Sequence, residues 1–257
     1  MAEQTAGFHL GADILQIALK FSDKTFSVYV KPTQQISTHA SESNGLTSHG
    51  QDLFYYGRKV SSVTLSKALD ELLSFLKTFE NPCIMVAHNC PFDAPRLLRA
   101  IKNEKLLDEF RIVISSFQDT LKLFKQKFPD RKGSKKLSLT TLASETLSLC
   151  TKKAHNAEYD VYMLEELVEK HLSISDIVNK TLTFDNFLQN LNQQELSTAI
   201  LPSFKPINDL VSSVIIERIA MAGINYESIL KIFKGDGTEN TIKLLQQNEN
   251  GVPQIVV

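Results

Sequence analysis

The stretch that most constrains this 257-residue sequence lies near its front, between Ile14 and Val30. Ile14 to Phe21 is an apolar run that reads as a buried strand, and Ser22-Asp23-Lys24 supplies a short turn. From Thr25 to Val30, Phe26, Val28 and Val30 alternate with polar partners, the period-two pattern of a strand with one buried face. Lys31-Pro32 ends it, because proline cannot donate to a ladder. The two strands predict an antiparallel hairpin.

Residues 33–61 are polar, carry Gly45, Gly50 and Gly57, and read as a long loop with short helical turns. From Thr64 to Lys77 the spacing changes: Ala68, Leu69, Leu72, Leu73 and Leu76 share one helical face. Asn81-Pro82 breaks that helix, and Cys83–Ala87 reads as a central strand. A helix over 92–102, a strand at Arg111–Ile114 and helices over 120–128, 139–149 and 157–172 follow. A hairpin succeeded by alternating helices and strands predicts an α/β sheet flanked by helices, not a sandwich or a bundle. After Ser173 the pattern is helical, clearest over 210–222 and 226–233, with Gly223 between them at a C′ position and no further strand before Ile255-Val256-Val257. The expected division is an α/β domain over 1–175 and an all-helical region over 176–257.

Composition excludes several classes. With 42% hydrophobic and 22% charged residues the chain is too apolar for a disordered segment. No run approaches the roughly 20 apolar residues that cross a bilayer, so no membrane partner is expected. The first residues have neither a basic region nor an apolar core, so no signal peptide is visible and a nuclear or cytoplasmic, not secreted, location is expected. Cys83, Cys90 and Cys150 form no Cys-x-x-Cys pair and read as free thiols, Cys83 as a small buried hydrophobe. A net charge of −1 excludes a globally basic nucleic-acid coat but leaves room for a local basic patch.

Chemistry concentrates in two segments. Val86-Ala87-His88-Asn89-Cys90-Pro91-Phe92-Asp93 spans a strand-to-helix turn, and His155-Asn156-Ala157-Glu158-Tyr159-Asp160 opens another helix. Each sets an aspartate in the first turns of a helix beside the sheet. His155, just before its helix, and Asp160, one turn inside, can reach one site. That pair suits metal-assisted hydrolysis, with the carboxylate on a divalent cation and the neutral imidazole taking a proton from water.

These residues resemble the DEDDh 3′→5′ exonucleases, which have a ribonuclease-H-like fold. His88, Asn89, Phe92 and Asp93 match that family's His-Asn-x-x-Phe-Asp motif, and His155, Ala157 and Asp160 match its His-x-Ala-x-x-Asp motif. Asp119-Thr120-Leu121 and the connector from Pro32 to Thr47 add to the likeness, which covers residues 12–172. Within it, the nearest likeness is to the exonuclease-like carboxy-terminal domain of the long promyelocytic leukaemia protein isoform and its relatives. Leu201-Pro202, the 211–222 helix, Gly223-Ile224-Asn225-Tyr226 and Asn250-Gly251-Val252-Pro253 carry that part. The resemblance implies hydrolysis of single-stranded DNA or RNA 3′ ends, Mg²⁺ or Mn²⁺ on Asp93 and Asp160, and His155 as general base.

The family's first motif, Asp-x-Glu closing the first strand, is where the sequence departs. With Gly7 on the family glycine, its two acidic positions hold Ala2 and Gln4, and Glu3 is the one candidate for the missing ligand. No run precedes Met1 to form that strand, so the expectation is the fold without its central strand, from an incomplete N-terminus. Asp13 reads as an ordinary surface acid. His88 is either a structural histidine at the turn or a nucleic-acid contact, and Phe92 either stacks a base or packs on the sheet. Lys132, Lys135, Lys136, Lys152 and Lys153, in a basic stretch from Lys122 onward, are either a solvated face or a phosphate-tracking surface. Two functions follow: a metal-dependent 3′→5′ exonuclease, or an inactive nucleic-acid-binding or protein-scaffolding module.

Overall fold

In the computed structural model, residues 1–133 and 135–246 are described. The elements run β1 (Ala2–Thr5), β2 (Ile14–Phe21), β3 (Lys24–Val30), α1 (Thr38–Asn44), β4 (Leu46–His49), β5 (Asp52–Tyr55), β6 (Arg58–Val60) and β7 (Ser62–Val63). Then come α2 (Leu65–Leu76), β8 (Cys83–Ala87), α3 (Cys90–Asn103), α4 (Leu107–Val113), β9 (Ile114–Asp119), α5 (Thr120–Lys127), α6 (Leu139–Leu147) and α7 (Ala157–His171). The last are α8 (Ile174–Val178), β10 (Leu182–Thr183), α9 (Phe184–Ile200), a 3₁₀ turn (Leu201–Ile207), α10 (Ser213–Met221) and α11 (Tyr226–Gln246, kinked at Gly237).

The hairpin forms as the alternation requires, with Ile17 opposite Val28 and Leu19 opposite Phe26 in antiparallel register. The first strand, expected to be missing, is present. Residues Ala2–Thr5 pair antiparallel with β2, Glu3 opposite Ile17 and Gln4 opposite Gln16. On the other side the Met1 nitrogen donates to Val86 O at 2.6 Å, which brings β8 alongside β1. Four residues suffice because β1 is enclosed by neighbours: α7 packs on both β1 and β2, and Ala18, Ala157 and Val161 cluster beneath Ala2.

Three further corrections concern secondary structure. The polar 33–61 segment holds α1 and an antiparallel sheet of β4, β5 and β6. Its alternation was masked because one face alone is apolar: Leu46 and Leu53 are fully buried with Leu15, Ile36 and Ala40. Arg111–Ile114 is not a strand. Phe110 and Val113 bury on the inner side of α4, and the strand β9 starts at Ile114, parallel to β8. A strand also follows residue 173, since β10 pairs with β9 at Leu182 opposite Phe117. The Ile255-Val256-Val257 strand lies outside the described residues.

α2 forms as its pattern demands. Thr64 caps its N-terminus by accepting from Lys67 N, and Leu69, Leu72, Leu73 and Leu76 bury at helical spacing, each stabilising by about 2 kcal/mol. The first compact unit runs from Met1 to Phe187. Residues beyond 175 belong to it because Gln118 Nε2 donates to Ile177 O (2.7 Å) and Asn179 O (2.9 Å), while Phe184 and Phe187 pack on the buried Phe117. The second unit, from Leu188, is helical over its described residues, with its own core of Phe204, Ile216, Ile219 and Ala220. No described helix is long and apolar enough to cross a membrane.

Asp13 has a structural task. Its carboxylate accepts from Thr33 N, from Gln34 N (2.8 Å) and from the Gln34 amide (3.0 Å), tying the start of β2 to the chain after β3. Burial pushes this carboxyl up, but the hydrogen bonds from Gln34 and Thr33 outweigh it and hold it below the ordinary aspartate value. Asp13→Ala is expected to lower stability by about 1–2 kcal/mol, read as a lower urea midpoint at unchanged slope. The difference should be full above pH ~4 and shrink below it, because protonation removes the same acceptor in the unaltered chain.

Candidate functional site

The four residues of β1 alternate, so Ala2 and Gln4 share one face and Glu3 and Thr5 the other. β8 ends at Ala87, and the chain turns through Asn89, held in the left-handed region (φ 65°), into α3. The carboxylate of Asp119, at the end of β9, secures that turn. It accepts from Asn89 N (3.0 Å), Cys90 N (3.3 Å) and Leu121 N (3.1 Å). Three residues into α3, Asp93 stands where a next β8 carbonyl would have been and accepts from Glu3 N at 3.1 Å. α7 begins the same way: His155 is left-handed (φ 65°), and its amide donates to Asp160 Oδ1 at 3.0 Å.

Asp93 and Asp160 thus flank β1, at an open cleft of about 320 Å³ whose lining also includes Gln4, Phe8, Asn44, Asn89, Phe92 and Thr140. The second oxygen of Asp160 is taken as well, because Gln4 Nε2 donates to Oδ2 at 3.0 Å. Glu3 is 5% exposed, and neither of its oxygens has a hydrogen-bond partner. Arg96, one turn after Asp93, donates instead to the carbonyls of Phe92, Phe8 and His9, and stacks over the Phe92 ring at 3.7 Å. Phe8, more than half exposed, meets Phe92 edge-on and His39 at 5.0 Å.

Glu3, His88, Asn89, Phe92, Asp93, His155 and Asp160 all line the cleft. Both His88 ring nitrogens are engaged, Nδ1 with Thr120 Oγ1 (3.0 Å) and Nε2 with Leu137 O (2.8 Å), and burial pushes its pKa down. This neutral histidine pins the connection after α5, the segment bearing Lys132, Lys135 and Lys136. Those three lysines are exposed, as are Lys152 and Lys153 before α7. His155 is exposed, and its contact with Asp160 runs through its backbone amide.

The donor set does not fit a pair of divalent cations. Among the described residues no three His, Cys, Asp or Glu side chains converge as metal ligands. Both oxygens of Asp160 accept from neutral N–H groups, and a side-chain amide stands beside them where another carboxylate is needed. Sequence reasoning located Gln4 but not its bond. Strand alternation would have revealed it, because it sets Gln4 on the α7 side and Glu3 on the opposite one.

Burial raises all three acids. Asp93 and Asp160 are pushed up to about 7, and Glu3, further opposed by Asp93, rises well above the usual carboxylate range. Between pH ~4 and 7 the folded chain therefore holds protons that the unfolded chain has released, and stability falls as pH rises through that window. Urea titrations are expected to give greater stability at pH 5 than at pH 8, by a few kcal/mol. Asp160→Asn, whose amide Gln4 can match by turning over, should flatten that slope. An unchanged slope would show that Asp160 titrates normally.

Comparison with known proteins adds two likenesses. The sequence model for the Exuperantia RNase H-like domain matches residues 1–147. Among solved structures, exonuclease X in complex with 5′ overhanging duplex DNA is similar with a TM-score of 0.43 and 19% identity, over 68% of this chain and 94% of that one. Curated protein sequences give no match.

Proposed function

This chain belongs to the Exuperantia RNase H-like domain family, and on that premise we propose that it binds single-stranded 3′ ends of DNA or RNA in its cleft without hydrolysing them. The carrying observation is the Gln4 amide on Asp160, which leaves that carboxylate committed to two N–H donors. The resemblance of the two histidine-bearing motifs to the DEDDh exonucleases, and of the whole to the exonuclease-like domain of the long promyelocytic leukaemia protein isoform, supports a nucleic-acid ligand. So does the lining. Phe8 and Phe92 offer rings to a terminal base, Asn89 and Thr140 offer polar groups, and Lys132, Lys135 and Lys136 lie on the segment leading to Thr140.

In this reading the buried acids work as backbone caps. Asp93 completes the edge of β1, Asp160 fixes the left-handed His155, and no proton or electron pair is moved. One observation favours a hydrolytic second reading: the Glu3 carboxylate is buried without a hydrogen-bond partner. There, Glu3, Asp93 and Asp160 would be the carboxylates to hold Mg²⁺ or Mn²⁺, the cation would supply activation of water, and the exposed His155 imidazole would take the proton.

A 3′-labelled single-stranded oligonucleotide separates the two. The unaltered chain is expected to retain it, more weakly as salt rises, and to leave its length unchanged in Mn²⁺. Shortening that disappears in Asp160→Ala would establish the hydrolase instead, and absence of retention would defeat the binding reading. A gain-of-function arm follows from strand geometry. Ala2→Asp with Gln4→Glu puts two carboxylates on the α7 face of β1, and Mn²⁺ is then expected to raise the melting temperature of the double variant but not of the unaltered chain.

A further inference from the structure

His155 lines the cleft, and the next residue, Asn156, lines a second groove of about 540 Å³ that the cleft does not include. Tyrosines dominate it. Tyr159 and Tyr162 stand side by side on α7 with ring centroids 5.8 Å apart, and Tyr55 projects from β5. Tyr55 continues into a row with Tyr29 (6.5 Å) and the exposed Tyr56 (4.8 Å). Asn156 joins the groove to the cleft: its amide donates to the Tyr29 hydroxyl at 2.9 Å, and as the cap of α7 it adjoins the turn that Asp160 holds. Lys20 in the groove is already paired with Glu165 at 2.6 Å, and the remaining charges of the lining are one lysine, Lys153, and one glutamate, Glu158. With charge so nearly cancelled, attraction for phosphates is weak there, and ring faces are the chief attraction on offer.

We propose that this groove is a base-stacking subsite, in which Tyr162, Tyr159 and Tyr55 take unpaired nucleobases of a single strand whose 3′ end lies in the cleft. The inference rests on the reading that the cleft holds such an end, and it adds the path of the strand beyond it. Stacking is indifferent to base identity and to the sugar, because every base presents a π face. The subsite therefore lengthens the footprint without adding sequence preference. Tyr162 is the residue to test, since the Tyr159 hydroxyl also anchors the preceding loop through Cys150 O and Tyr55 packs against the buried Leu46–Leu53 cluster.

The test compares fluorescently labelled oligothymidylates of about four nucleotides, enough for the cleft, and about twelve, enough for both sites. The unaltered chain is expected to bind the longer one roughly tenfold more tightly. Tyr162→Ala should remove most of that gain while leaving the short oligonucleotide's affinity unchanged, which also reports that the variant is folded. Tyr162→Phe should keep the gain. The chain has six tyrosines and no tryptophan, so the longer oligonucleotide should quench tyrosine emission in the unaltered protein and less in Tyr162→Ala. If both oligonucleotides bind and Tyr162→Ala alters neither, the groove is not a base site while the cleft reading stands. If neither binds, the cleft reading has failed and the groove proposal falls with it. Quenching by an oligoproline peptide but not by the longer oligonucleotide would assign the groove to a polypeptide and overturn the proposal.

Discussion

Three carboxylates that accept backbone N–H bonds, two where β8 and β9 give way to helices and one at the start of α7, fix the backbone of the first unit around β1. Where β8 and β9 stop and the chain turns into helices, amide groups face a buried region with no carbonyl opposite them. Leaving one unpaired costs about 1–3 kcal/mol. Asp119 serves three such amides, Asp93 serves Glu3 of β1, and Asp160 serves His155. Two of the amides belong to residues in left-handed conformations, Asn89 and His155, which an L-residue adopts at some cost and keeps only when its surroundings hold it there. The aspartates therefore determine the backbone course on which every other feature of the cleft depends.

That task competes with metal chemistry for the same lone pairs. Each Asp160 oxygen, bonded to one N–H, keeps a lone pair that can face a cation, but its neighbour from the adjacent strand is a side-chain amide and not a second carboxylate. The amide's remaining N–H would repel a cation where a carboxylate would attract one. Burial then raises Asp93 and Asp160 toward neutrality, so the negative charge that would draw a divalent ion in is itself reduced. With an alanine and an amide, and no carboxylate, on the α7 face of β1, ligand count and electrostatic attraction are low together.

How much of this the sequence displayed depends on how many residues carry each signal. The β2–β3 hairpin was legible from the apolar run of β2 and the alternation of Phe26, Val28 and Val30, and α2 from five apolar positions at helical spacing. β1 was not, because four residues, Ala-Glu-Gln-Thr, contain one apolar side chain, and enclosure by β2, β8 and α7 makes the strand. The β4–β6 sheet hid for a related reason: Leu46 and Leu53 alone bury fully, and the glycines between the strands serve equally well in a loop. At α4, the β-branched run Ile112-Val113-Ile114 favours a strand in a short window, whereas the burial of Phe110 and Val113, three apart, is helical. The cleft residues were legible by motif, since His88, Asp93, His155 and Asp160 stand at a fixed spacing. What they bond to was not, because motif letters do not record that His88 has both nitrogens occupied or that Asp160 is met by Gln4.

The N-terminal turn of α7 draws these threads together. His155 presents one side of that turn to the cleft and Asn156 the other to the tyrosine groove, and the backbone between them is held by Asp160 from within the same helix. Asn156 also caps α7 by accepting from Glu158 N and Tyr159 N, and Gln16 of β2 fixes the next amide, Ala157 N, at 2.9 Å. The backbone of the turn is thus fixed by Asp160, Asn156 and Gln16, with the exposed His155 side chain at the cleft and the tyrosines at the groove. On the proposed reading, such a site recognises by shape and stacking, and its acids act by keeping that shape.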